Sequence, residues 1–128
     1  AKDFVEKFDD GLDHHVEQGG SNFSGGQKQR LAIARALVKQ ADIYVFDDSF
    51  SALDFKTDAK LRKALKEQMH DKIKVIVAQR VSTVMDADMI LVLDEGKVVG
   101  KGTHDELLAN NTTYQEIVHS QLREEDLA

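Results

Sequence analysis

The sequence predicts an α/β domain, and three observations predict it. Short apolar runs, Ile43-Tyr44-Val45-Phe46, Ile73 to Ala78 and Met89 to Leu93, have the length of strands. Other segments carry apolar residues at helical spacing, such as Leu31, Ala34, Leu37 and Val38. The first run ends in Asp47-Asp48, and a buried strand that delivers acids at its C-terminal edge marks the place where open α/β sheets bind ligands.

Composition bounds the rest. A chain of 128 residues has room for one domain with a modest core. Hydrophobic residues at 41% and charged residues at 31% are ordinary for a soluble globular protein. No run approaches the roughly 18 apolar residues a membrane span needs, and no signal peptide is visible. The absence of cysteine removes disulfides and thiolate chemistry, which fits a cytosolic protein. The net charge of −6 argues against a general nucleic-acid binder, which would show a basic face. Prolines are absent, so turns must rely on Gly, Asn and Asp.

From the N-terminus, Phe4, Val5 and Phe8 form one face of a short helix that Gly11 breaks. His14-His15 lack a visible ligand set and read as solvated or locally hydrogen-bonded, and Gly19-Gly20 as a flexible loop. Ser24 is a good N-cap, Gly25-Gly26 leave the backbone bare, and the helix formers from Leu31 to Leu37 carry a helix from about Gly25 to Lys39. Its buried side should be Leu31, Ala34, Leu37 and Val38, with Arg30 and Arg35 structural or solvated. A helix start with exposed N–H groups, a hydroxyl and a positive dipole end is a ready anion site, although the same residues also make a plain capped turn.

After the first strand, a helix from about Lys56 to Met69 carries Leu61, Ala64, Leu65 and Gln68 at helical spacing, with its charges on a solvated face. The second strand ends at Gln79-Arg80, and Ser82 is placed to cap a short helix. Glu95-Gly96 makes a tight turn between Met89–Asp94 and Lys97–Gly102, which predicts a β-hairpin. Thr103 with Glu106 reads as a capping box, so His104 packs or caps locally. A last helix, about Thr113 to Leu122, leads into an acidic tail.

Together, Ser24-Gly25-Gly26-Gln27, the helix after it, Phe46-Asp47-Asp48 and Ser51-Ala52-Leu53-Asp54 resemble the ATP-binding cassette (ABC) ATPases. They look like that family's signature motif, Walker B strand and D-loop, in its order and spacing, and the resemblance covers essentially the whole chain. The DEGKVVGKGTHDELL stretch resembles exporter cassettes, where it is scaffold. The implied fold is part of a P-loop NTPase, a three-layer ABC ATPase fold without its Walker A half. Residues 1–23 would be the end of the helical subdomain, and 24–128 the C-terminal part of the ATPase domain.

The resemblance implies roles residue by residue. Asp47 would hold Mg²⁺, usually through water. Asp48 stands where the family usually has a glutamate that orients the attacking water. Aspartate is one methylene shorter, roughly 1.5 Å of reach. Gln79 stands where the family usually has a switch-loop histidine; an amide can hydrogen-bond phosphate but carries no positive charge. Phe23 replaces the usual leucine before an intact Ser24, Gly25, Gly26 and Gln27. Gln18 falls where exporters carry a glutamate near the transmembrane contact.

Two cassettes of this family pair head to tail, so the signature would serve ATP held by a partner, while Asp47, Asp48 and Gln79 serve this chain's own. Ser51 and Asp54 would lie at the dimer seam. An intact signature beside two departures implies a heterodimeric exporter with one hydrolysis-poor site. ATP and Mg²⁺ would act only in the complete cassette dimer, docked on a transmembrane domain at the cytoplasmic face of the membrane. No GxxxxGK[ST] occurs in the 128 residues, so the chain by itself should bind ATP weakly or not at all, and sheet edges are expected to be exposed. Competing readings are a stand-alone half-cassette acting as a non-enzymatic regulator, and the C-terminal lobe of a chromosome-maintenance or DNA-repair head ATPase. The negative charge and the absence of heptads from Ala1 to Ser21 weigh against the last.

Overall fold

The computed structural model describes residues 1–126. The chain forms two compact units, Ala1–Val77 and Ala78–Ala128. In the first, a short helix α1 (Lys2–Val5) is followed by two 3₁₀ turns, then α2 (Gly25–Val38), β1 (Ile43–Asp47), α3 (Phe55–Gln68) and β2 (Ile73–Val77). β1 and β2 pair in parallel, Ile43 opposite Ile73 through Asp47 opposite Val77, so β1–α3–β2 is a crossover unit. One further bond, from the Asp48 N–H to the Val77 carbonyl at 3.0 Å, ties the end of β1 to the end of β2.

One face of this sheet is covered. Tyr44 and Phe46 point into a core with Ile33, Phe50, Leu53, Leu65 and Met69. Ile43 and Val45 on β1, and Ile73, Val75 and Val77 on β2, face solvent. β1 is therefore half-buried rather than buried on both sides as its continuous apolar run predicts, because nothing in the unit packs on its second face. The phase of α2 differs too. Ile33 is its buried anchor, Leu31, Ala34 and Leu37 are partly covered, and Val38 is 82% exposed at the last turn. In α3 the charges are not all solvated. Asp58 is 1% exposed, with its Oδ1 accepting from Arg62 Nε at 3.0 Å one turn on.

The N-terminal segment has a small aromatic core of its own. Phe23 is buried, with its ring edge-on to Phe4, Phe8 and His14 at centroid distances of 6.4, 5.7 and 5.9 Å. His14 stacks on Phe8 at 3.8 Å, and its Nδ1 lies 2.7 Å from Asp10 Oδ1. The Arg30 guanidinium sits 4.6 Å over the Phe4 ring and its Nε donates to the Gly26 carbonyl. Phe23 is thus a packing residue that anchors the chain entering α2, and His14 and Arg30 have local structural roles.

The second unit holds α4 (Val81–Val84), β3 (Ile90–Asp94), β4 (Lys97–Gly102), α5 (His104–Asn110) and α6 (Thr112–Asp126). β3 and β4 form the expected antiparallel hairpin, with an irregularity between Val92 and Leu93. Glu95 and Gly96 both have positive φ, 45° and 74°, as a two-residue turn of this hand requires. Ile90, Val92, Leu107 and Tyr114 make its core. The Thr103–Glu106 capping box forms, and His104 Nδ1 lies 2.8 Å from the Tyr114 hydroxyl. Ser82 does not cap α4. The helix starts at Val81 behind Arg80, with no side-chain cap, and the Val81 N–H is taken by Gln121 Oε1 at 2.8 Å. Among the described residues no helix is long and apolar enough to cross a membrane.

Candidate nucleotide-site elements

The start of α2 forms as its residues dictate. Ser24 is extended (φ −66°, ψ 158°), its Oγ accepts from the Gln27 N–H at 3.2 Å, and Gln27 Oε1 accepts from the Ser24 N–H at 2.8 Å. This reciprocal capping box occupies both polar side chains of the motif. Helix geometry leaves the N–H groups of Gly25 and Gly26 without an intrahelical acceptor, at the positive end of a 14-residue helix. The glycines also answer to packing. A Cβ on Gly26 would lie 2.9 Å from the Ala52 carbonyl oxygen, and one on Gly25 3.3 Å from the Ala52 Cβ. The first turn of α2 therefore lies against the loop that follows β1.

That loop carries the candidate acids. Asp47 is exposed at the end of β1. Asp48 follows with φ +48°, a conformation that costs an L-residue roughly 1–2 kcal/mol and that aspartate tolerates better than longer side chains. Its Oδ2 accepts from Ser51 Oγ at 3.0 Å. The loop is fastened to α2 by Gln29, whose Nε2 reaches the Asp48 carbonyl and Ser51 Oγ, both at 3.0 Å, and whose Oε1 accepts from the Ala52 N–H at 3.0 Å. The structure thus gathers the α2 start, Asp48 and Ser51 into one cluster. Gln29 had no role in the sequence reading. It lies one turn beyond Gly25 on the same side of the helix, but nothing in the sequence marks the distant backbone it reaches.

Asp54 is the N-cap of α3 and accepts from the Thr57 N–H at 2.9 Å. Hydrogen bonds from Thr57, side chain and backbone, hold its carboxyl below the usual aspartate range. Folding therefore favours the ionised form. That contribution is complete above the unfolded value and is lost as pH falls through the lower folded one. In an acid titration followed by amide resonances, the Thr57 signal should report this loss. Asp54→Asn, which keeps an acceptor but cannot protonate, should remove that step; a Thr57 titration identical in both proteins would refute it.

Gln79 belongs to the second unit. Its carbonyl accepts from Gln121 Nε2 at 2.6 Å, while the other end of the same carboxamide takes the Val81 N–H. Here too a glutamine from a neighbouring helix holds the backbone of a candidate residue, and no local pattern announced it.

Mg²⁺ takes oxygen ligands, keeps several waters and needs only one or two protein carboxylates beside substrate phosphates. The exposed carboxylate of Asp47 at a strand end fits that requirement. Among the described residues no group of three or more His, Cys, Asp or Glu gathers into a closed cage.

Comparison with known proteins shows what the chain as a whole resembles. The sequence profile of the ABC transporter family matches residues 1–51. An uncharacterized ABC transporter ATP-binding protein of Mycobacterium bovis is 54% identical over 94% of this chain and 20% of its own length. An ATP-dependent lipid A-core flippase of Aliivibrio fischeri is 45% identical over 91% of this chain, again 20% of its own length. The structure of a bacterial Atm1-family ABC exporter with ATP bound superposes with a TM-score of 0.90 and 38% identity, over 94% of this chain and 21% of that one. The chain thus spans about a fifth of the length of these relatives. By sequence and by fold the chain matches ABC transporter ATP-binding proteins, exporters among them, over the C-terminal half of their ATP-binding domain.

Proposed function

We propose that this chain serves as the C-terminal portion of an ABC exporter's ATP-binding subunit, coupling ATP binding and hydrolysis at a cassette pair to transport across the membrane. The observation that carries the reading is the single cluster in which the SGGQ turn, Asp48 and the Ser51–Asp54 loop are held together. Residues 1–23 close a helical subdomain and 24–128 complete the ATPase core. The domain works at the cytoplasmic face, docked on a transmembrane domain, and names of relatives such as the lipid A-core flippase favour an amphiphilic, lipid-like cargo.

Within that pair, the N–H groups of Gly25 and Gly26, oriented by Ser24 and Gln27, receive the phosphate of a nucleotide held by the partner cassette. Asp47 binds the Mg²⁺ of this chain's own nucleotide, and that ion neutralises charge on the phosphates. Asp48 orients the attacking water from a side chain one methylene short. Gln79 offers the γ-phosphate a hydrogen bond without a charge. This chain's own site therefore hydrolyses poorly while its signature supports the partner's, the division of labour of a heterodimer. Ser51 and Asp54 lie at the seam between the two.

An amide-shift titration with Mg-ATP tests this assignment. The chain by itself, which contains no GxxxxGK[ST], should show no saturable response up to millimolar ATP. Adding a complete partner cassette with bound ATP should move the resonances of Ser24 to Gln27. Saturable shifts at Ser24–Gln27 and Asp47 with micromolar ATP alone would overturn the reading. So would a lack of response to the loaded partner. A stable complex with the partner that forms without ATP and leaves those resonances still would favour a regulatory half-cassette instead.

A further inference from the structure

The Gln29 carboxamide makes three contacts that only one orientation of the group allows. Its NH₂ donates to the Asp48 carbonyl and to Ser51 Oγ, and its oxygen accepts from the Ala52 N–H, all at 3.0 Å. Turned over, it would set oxygen against oxygen and NH₂ against N–H. Ser51 Oγ in turn lies 3.0 Å from Asp48 Oδ2 and 3.2 Å from the Asp48 carbonyl. The result is a chain of donors from the helix side chain through the hydroxyl to the carboxylate, and such chains reinforce one another.

The backbone at Asp48 needs this support. At φ +48° it occupies a sparsely populated region, which persists only where surrounding contacts over-determine it. On the other side of the same loop, the Ala52 carbonyl oxygen lies 2.9 Å from the position a Cβ of Gly26 would take. Gln29 and Gly26, one turn of α2 apart, therefore grip residues 48–52 from two points. The grip leaves little room for the loop to shift without the helix start shifting with it.

We propose that Gln29 is a positioning residue. It fixes the direction of the Asp48 carboxylate through Ser51 and gears that carboxylate to the Gly25–Gly26 turn. This rests on the function proposed above, in which Asp48 faces this chain's own nucleotide and the turn faces the partner's. The gearing makes the state of one composite site legible at the other through a path of five residues. Gln29 itself touches neither nucleotide.

The test needs no nucleotide, so its failure is separate from a failure of the functional reading. It is a double-mutant cycle of Asp48→Asn and Gln29→Met on the whole chain, read as amide shifts at Gly25, Gly26 and Gln27. Asp48→Asn should move these resonances in the Gln29 protein and leave them within error in the Gln29→Met protein. Hydrogen exchange at the Ala52 amide supplies a second readout. Gln29→Met, of similar length but without the carboxamide, should speed it roughly fivefold, the loss of one net hydrogen bond. Gln29→Glu keeps the acceptor and should leave Ala52 near its original rate while the Asp48 end is released. Equal shifts from Asp48→Asn in both backgrounds would overturn the proposal. So would an Ala52 exchange rate unchanged in Gln29→Met, which would reduce Gln29 to a space-filling residue.

Discussion

On the function proposed above, Asp48→Glu together with Gln79→His should raise ATP turnover at the composite site by about a hundredfold in the assembled cassette pair. The size follows from reach. A catalytic group misplaced by about 1 Å costs on the order of a hundredfold in rate, and the added methylene restores roughly 1.5 Å. The imidazole adds a group able to carry positive charge near the γ-phosphate, which the Gln79 amide cannot. The gain should appear in kcat with KM for ATP little changed, because the interactions restored belong to the transition state. The same exchange has a cost in the fold. Glutamate is less at ease than aspartate at φ +48°, so Asp48→Glu alone should lower the unfolding free energy by about 1 kcal/mol. A doubly substituted pair with the original turnover would remove the basis for calling the site hydrolysis-poor.

The second large effect is structural. Asp58 is 1% exposed and bonded to Arg62, whose side chain is 19% exposed. Asp58→Ala should destabilise the chain by about 3–5 kcal/mol, since it removes the buried member of a covered ion pair. That is a large share of the roughly 5–15 kcal/mol typical of a whole domain. Replacing both members, Asp58→Ala with Arg62→Met, should cost less than Asp58→Ala alone. Urea unfolding of the three proteins measures this. A loss under about 1 kcal/mol for Asp58→Ala would show that the pair is solvated after all.

These two sites also mark what could be read from the sequence. The start of α2, the Glu95-Gly96 turn and the Thr103 cap were legible because each is set by a few adjacent residues with one good local solution. Asp58 was not. An acid four residues before an arginine looks the same on a solvated helix face as on a covered one, and only the packing of α3 decides. Val38 and β1 failed for a related reason. Periodicity says which residues share a face, and whether anything lies over that face is settled elsewhere. Among the site residues, those in motifs were visible as letters, whereas Gln29 and Gln121 became visible only as contacts. A carboxamide that clasps a distant backbone leaves no spacing in the chain to find.

The half-covered β1–β2 sheet has a thermodynamic consequence. Ile43, Val45, Ile73, Val75 and Val77 stay wet in the folded unit, so unfolding exposes little new apolar surface from them. The heat-capacity increment and the denaturant slope both scale with surface newly exposed, and both fall short of what this length would give with a fully covered sheet. A layer laid over that face would restore both quantities. By mass action it would also raise the stability of the crossover that carries Asp47 and Asp48. The acids at the strand ends would then be held most firmly with that layer in place.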